Sequence, residues 1–172
     1  TVLVSPTPGD ATASGVTLLA AIDDCTAATS TDPMMIKIEP GLYDLNGNAL
    51  KMQPFCDIEG SGENVTFVRS NVVTSASCSS GTVFGSDNAE IRQLTIENFA
   101  TSGNSNATAF CNVDASPAIT HVTINMASSN VFGSNGVVSR GASSPTIAHS
   151  TINVSNTGQQ RAYGVRVDNG AH

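Results

Sequence analysis

Apolar and polar residues alternate in short bursts along this chain, and the bursts recur. In Val122-Thr-Ile-Asn-Met126 the apolar side chains fall at every second position, the pattern of a strand with one buried face. Three segments nearly superimpose: Glu90-Ile-Arg-Gln-Leu-Thr-Ile-Glu97, Ala118-Ile-Thr-His-Val-Thr-Ile-Asn125 and Thr146-Ile-Ala-His-Ser-Thr-Ile-Asn153. Their first Ile falls at 91, 119 and 147 and their Thr-Ile pair begins at 95, 123 and 151, so both series step by 28. Ser116-Pro117 and Ser144-Pro145 keep that step, and Thr66-Phe67 extends the Thr series back at a distance of 29. A third apolar patch recurs as Thr82-Val-Phe84, Thr108-Ala-Phe110, Gly136-Val-Val138 and Gly164-Val-Arg-Val167.

Three strand-like runs per period, none long enough for an ordinary helix, predict an all-β chain wound as a right-handed parallel β-helix with about 28 residues per coil. Each strand then pairs with its counterpart about 4.8 Å above and below. Stacking places Ile91, Ile119 and Ile147 in one inward column and Ile96, Ile124 and Ile152 in another. A single coil cannot bury its apolar face alone, so the stack makes the core. A two-sheet sandwich is the rival fold, but it predicts no step of 28 held at two separate positions.

The first 50 residues read as an N-terminal cap with the first strand, and 51–172 as coils, within one domain. Ser14 or Thr12 is placed to cap a helix running through about Ala28, with Leu18, Ile22 and Cys25 on one face. Met34–Ile38 reads as a strand and Gly41-Leu-Tyr43 as a tight exit from it. A helix over the first coil covers both open core and unpaired strand edge. No such cover is evident after the last inner column. The expectation is an N-terminal part of a longer protein, or an end that self-associates with another chain.

Composition narrows the function classes. The chain has 172 residues, of which 12% are charged and 5% aromatic. Seven Lys plus Arg face fourteen Asp plus Glu, for a net charge of −7. Phosphate neutralisation needs clustered cations, so nucleic acid is excluded as a partner. No apolar run approaches the roughly 18–20 residues of a membrane span, so membrane insertion is excluded as well. Cys25, Cys56, Cys78 and Cys111 show no zinc-finger spacing. An even count in a Lys-poor chain fits two disulfides and a secreted or cell-surface location. Of the three pairings, position favours Cys25–Cys56, where the cap helix faces the next strand, and Cys78–Cys111; four buried free thiols are the alternative.

Ile36-Lys-Ile-Glu-Pro-Gly-Leu-Tyr43, followed by Asp57-Ile-Glu-Gly-Ser-Gly-Glu-Asn-Val-Thr66, resembles the opening of pectin lyase-like proteins, a superfamily that includes pectinesterases and pectate lyases. The Ser-Pro-Thr-Ile and Ser-Thr-Ile repeats are similar to those of uncharacterised secreted bacterial β-helix repeat proteins. The resemblance implies a right-handed parallel β-helix with an N-terminal helical cap. Activity does not carry over. The pectinesterase G-x-Y-x-E opening matches at Gly41 and Tyr43, but Leu45 stands where the Glu belongs. Gly81 occupies the place of the catalytic Asp in Gly81-Thr-Val-Phe-Gly85, and no Arg pair of pectate-lyase type is present.

Candidate chemistry is sparse. Gln93, His121 and His149 fall in one column, where two imidazoles one coil apart suit a shared metal or proton shuttle, or simply a polar file at a tight bend. Asp87 and Asp114 follow the same strand in successive coils, so calcium is the cofactor to consider. Asp57, Glu59, Glu63, Asp87, Glu90, Glu97 and Asp114 are the carboxylates from which an acid and base pair would be drawn. Thr66, Thr95, Thr123 and Thr151 read as an outward ladder that packs on itself. Asn64, Asn106 and Asn153 open formal glycosylation sequons. Polar loops taken to join the third strand of one coil to the first of the next carry Asn104, Asn106, Asn130, Asn135, Asn156 and Gln159. Aligned over one edge, these suit a polysaccharide or cell-surface glycan. The reading that follows is a non-catalytic extracellular module that binds carbohydrate, adheres to a surface or serves as a spacer. The alternatives are a polysaccharide-degrading lyase, hydrolase or esterase, and a filament or spike subunit.

Overall fold

The computed structural model describes residues 1–74, 78–101, 105–129, 132–158 and 161–171. The chain opens with β1 (Val2–Val4) and α1 (Ala11–Asp24), and then winds. Successive turns carry β2 (Met34–Ile38), β3 (Gly41–Asp44) and β4 (Leu50–Lys51), then β5 (Cys56–Glu59), β6 (Thr66–Ser70), β7 (Val73–Thr74) and β8 (Val83–Phe84). The later turns carry β9 (Glu90–Asn98) and β10 (Asn106–Val113), then β11 (Ala118–Ser128) and β12 (Gly133–Arg140), and finally β13 (Thr146–Ala148), β14 (Thr151–Asn156) and β15 (Arg161–Asp168). Among the described residues every strand pairing is parallel except that of β7 with β10. The result is a β-solenoid whose turns are about 28 residues apart, with one N-terminal helix.

The expected first and second strands of a coil are one continuous strand in β9 and β11, bent at Gln93 (φ 57°) and His121 (φ 51°). A left-handed residue turns the chain without breaking the ladder on either side. His149, at φ 51°, makes the same corner between β13 and β14. Each coil therefore presents a first and a second face, which meet at this corner, and a third face formed by β4, β8, β10, β12 and β15.

The register fixes the core. One column runs Val2, Ile36, Ile58, Ile91, Ile119, Ile147. A second runs Tyr43, Val68, Ile96, Ile124, Ile152, and a third Leu50, Val83, Phe110, Val137, which Val165 continues as an exposed residue. Each buried aliphatic side chain contributes about 1.5–3 kcal/mol relative to exposure. The corner length decides where the register slips. Phe67, not Thr66, pairs with Thr95, because residues 60–65 form a longer corner where later coils use one left-handed residue. Thr66 is therefore buried and does not belong to the outward Thr file.

The cap also differs in detail from expectation. Asp10, not Ser14 or Thr12, is the N-cap, its Oδ1 accepting from the Ala13 N–H at 2.9 Å. Asp10 follows a turn in which its own N–H donates to the Thr7 carbonyl, and Ser14 is buried against it. The helix stops at Asp24, and a 3₁₀ turn, Cys25–Ala27, follows. Leu18, Ala21 and Ile22 bury one face on the first coil. Gly15 permits that approach, since a Cβ there would lie 2.0 Å from the Asp44 carbonyl oxygen. Gly41–Asp44 is a strand in its own right rather than an exit. Cys25 bonds Cys56 and Cys78 bonds Cys111, the first tying cap to coil and the second strapping the Cys78 segment over Val138 and Phe84.

Candidate functional site

Alternation sends Ile58, Ile91 and Ile119 inward on the first face, so their neighbours must point out. The register then aligns Leu3, Lys37, Glu59, Arg92, Thr120 and Ala148 in one outward file along the solenoid axis. Arg92 is its centre. Its Nη2 lies 2.8 Å from Glu59 Oε2, its Nη1 2.5 Å from Glu90 Oε2 and 3.6 Å from Asp57 Oδ2. Lys37 Nζ holds the other Glu59 oxygen at 2.9 Å. Asp57 Oδ1 accepts from the Glu90 N–H at 2.9 Å, and the Thr120 hydroxyl donates to Glu90.

Of these groups, Lys37 and Glu59 border a shallow depression of about 440 Å³, which Leu3, Glu39, Ser61 and Gln93 also line. Lys37 and Arg92, both hydrogen-bonded to Glu59, hold its carboxyl below the usual glutamate range. Glu59 therefore stays ionised and does not serve as a general acid near neutral pH. What the arrangement offers is a fixed line of charged donors and acceptors, spaced by the strand repeat, able to make charge-assisted hydrogen bonds to hydroxyl groups.

The other sequence-derived candidates fall elsewhere. His121 and His149 stack with ring centroids 4.9 Å apart and planes 20° from parallel, exposed at the corner with Gln93 one coil before. Asp87 Oδ1 accepts from the Ser116 N–H at 2.7 Å, and Asp114 Oδ1 from the Ala142 N–H at 2.9 Å. Each thus caps the turn of the next coil. Among the described residues, no group of three or more His, Cys, Asp or Glu is arranged to hold a metal ion. Thr95, Thr123 and Thr151 do form one file, but Glu63 folds over it, bonding Thr95 through its carbonyl and Thr123 through its carboxylate. Beside it Asn153 donates to Asn125 at 3.0 Å and Asn125 to Glu97 at 3.4 Å.

The polar loops need a correction. They connect the second strand of a coil to the third strand of the same coil, since β10, β12 and β15 follow them. The third-to-first connection is instead a short turn around Asp114–Pro117. Asn135 is not a loop residue: it lies buried in β12, its Nδ2 donating to the Ala107 carbonyl at 3.2 Å. Asn106 begins β10 and Asn156 ends β14. Asn104, Asn130 and Gln159 lie outside the described residues. Sequence reasoning passed over Lys37 and Arg92. The alternation of Glu90-Ile-Arg92 showed both charges outward, but aligning them with Glu59 needed the true register.

No family model matches this sequence, and no curated protein does. The structure does have a counterpart among solved ones: pectin methylesterase PemA from Erwinia chrysanthemi, with a TM-score of 0.54 at 13% identity, over 94% of this chain and 53% of that one. The chain carries the pectin lyase-like β-helix fold. It spans about half the length of the esterase chain that it matches, and at this identity the likeness is one of fold. Within that fold, the first face is where one guanidinium, that of Arg92, meets three carboxylates. Two disulfides hold the solenoid, and among the described residues no helix is long and apolar enough to cross a membrane.

Proposed function

We propose that this chain is a secreted β-helix module that binds an extended polysaccharide along the outward first face without cleaving it. The observation that carries this reading is the Lys37–Glu59–Arg92 file. It sets charged hydrogen-bonding groups in a straight line on a rigid sheet, beside an open depression rather than an enclosed cleft. Rigid presentation limits the entropy lost on binding, and a long ligand gains from repeated weak contacts. Two disulfides and the solenoid fold support an extracellular setting.

A second reading, a polysaccharide-degrading enzyme, is favoured by one specific observation. Asp57, Glu59 and Glu90 converge on a single guanidinium, and paired carboxylates are the usual machinery of glycoside chemistry. Against it, Glu59 is held ionised and Glu90 and Asp57 are tied to neighbours on the same face. Glycan-array binding, with and without calcium, combined with assays for new reducing ends and released acid, separates the two. Retention without product, weakened in Arg92→Gln, supports the module. Product release lost in Glu90→Gln or Asp57→Asn establishes the enzyme instead.

A further inference from the structure

The corner between the first and second faces carries a pair of side chains that the Lys37–Glu59–Arg92 file does not use. His121 and His149 occupy it in successive coils, each at φ 51°. Parallel ladders fix the corner on both sides, Thr120 pairing with Ala148 before it and Thr123 with Thr151 after it. Equal backbone angles on a strand repeat of about 4.8 Å project equal side chains in the same direction, and the two imidazoles stack with centroids 4.9 Å apart. Two of the chain's three histidines thus stand in one file. The corner itself does not require an imidazole, since Gln93 makes it one coil earlier at φ 57°. Both histidines are exposed, and among the described residues no protein group hydrogen-bonds either ring.

Imidazoles held one strand spacing apart and free of protein partners are donors for a late first-row transition ion. They do not suit calcium or magnesium, which take oxygen. An ion bonded to both rings at about 2.0–2.1 Å needs their donor nitrogens within roughly 4 Å of each other. The ring centroids stand 4.9 Å apart, and rotation about the side-chain bonds closes the remaining gap while the laddered backbone stays in place. Two imidazoles do not complete a structural centre, and among the described residues no third His, Cys, Asp or Glu joins them. The remaining coordination positions go to water, as in an open site. A net charge of −7 favours the approach of a cation. We infer that His121 and His149 chelate one late divalent transition ion, Cu²⁺ most tightly and Ni²⁺ and Zn²⁺ less so, in the usual order for nitrogen sites. The inference does not rest on the polysaccharide reading, because neither histidine lines the first-face depression or contacts Arg92.

The test is calorimetric titration of the whole chain, free of any affinity tag and stripped of metal with a chelator, with Cu²⁺, Ni²⁺ and Zn²⁺ salts in turn. Wild type, His121→Asn, His149→Asn and the double variant are compared. Asn adopts the left-handed conformation of this corner, and an unchanged melting temperature without metal checks the fold. The expected result is saturable binding of one Cu²⁺ per chain, weaker binding of Ni²⁺ and Zn²⁺, and no displacement of Cu²⁺ by an equal amount of Ca²⁺. Losing one of two donors lowers the affinity roughly tenfold or more in each single variant, and the double variant loses the site. Pulsed electron paramagnetic resonance of the copper-loaded wild type reads the donors without any substitution, and two imidazole nitrogens are expected. Absence of saturable binding, displacement by Ca²⁺, affinity unmoved by either single substitution, or fewer than two imidazole nitrogens on copper overturns the inference.

Discussion

Replacing Arg92 by Gln removes the one cation that three carboxylates share, and the cost is large enough to measure. The guanidinium side chain is 21% exposed, and Glu59, Glu90 and Asp57 are 23%, 28% and 38% exposed. Fully exposed pairs are worth about 0.2–1 kcal/mol, and breaking a fully buried pair costs about 3–5 kcal/mol. Partial exposure with three partners places this network between them, at about 2 kcal/mol near neutral pH after allowance for screening. With a urea slope of roughly 2 kcal/mol/M, the unfolding midpoint falls by about 1 M. The pH dependence identifies the cause. Glu59 has a depressed carboxyl in the folded chain, so its pairing stabilises above the ordinary value of about 4.3 and is lost as pH falls through the lowered folded value. Urea melts of wild type and variant therefore differ at pH 7, and the gap narrows as pH falls below about 4. A gap below about 0.5 kcal/mol at pH 7, within the range of ordinary surface substitutions, refutes the network. A gap that persists unchanged at pH 3 assigns the effect to packing of the arginine stem instead.

Three further outcomes follow from the same architecture. Ile119→Ala opens a cavity between Ile91 and Ile147 in the first core column and costs about 3–4 kcal/mol in denaturant unfolding, near the middle of the range for such truncations. Tyr43 is buried, its hydroxyl donating to the Val4 and Glu39 carbonyls at 3.1 Å each, and burial and then Glu39 push its pKa up to about 12. The unfolded phenol ionises first, so this contribution is intact below about pH 10 and is lost as pH rises towards the folded value. Alkaline unfolding monitored by circular dichroism is therefore steeper in wild type than in Tyr43→Phe. His121 holds a left-handed backbone at φ 51°, so the β-branched His121→Val costs about 1–2 kcal/mol while His121→Asn costs little, as thermal melts would show.

The core was legible because a solenoid turns sequence period into contact. Where coils are equal in length, residue i sits on residue i + 28, so Ile91, Ile119 and Ile147 pair as their spacing requires. Legibility failed where coils are unequal. Arg92 lies 33 residues from Glu59, so no fixed step reveals that they pair, and the longer corner at 60–65 displaced Thr66 from the file its spacing suggested. Polarity misled in two places. Asn135 sits in a Ser- and Asn-rich run that reads as a loop, yet its amide bonds to the adjacent coil let it lie buried in a strand. Asp87 and Asp114 read as a site for calcium between two coils, whereas in the structure Oδ1 of each accepts a backbone N–H of the following turn.

The proposed role requires that the first face hold a polysaccharide without breaking it. The most direct measurement is one in which wild type and Arg92→Gln are incubated with the glycan retained best on an array, and bound ligand and released product are followed in the same vessel. Saturable binding by wild type, weaker binding by Arg92→Gln, and no new reducing ends or released acid from either are expected. Product that accumulates with wild type and vanishes with Glu90→Gln contradicts it.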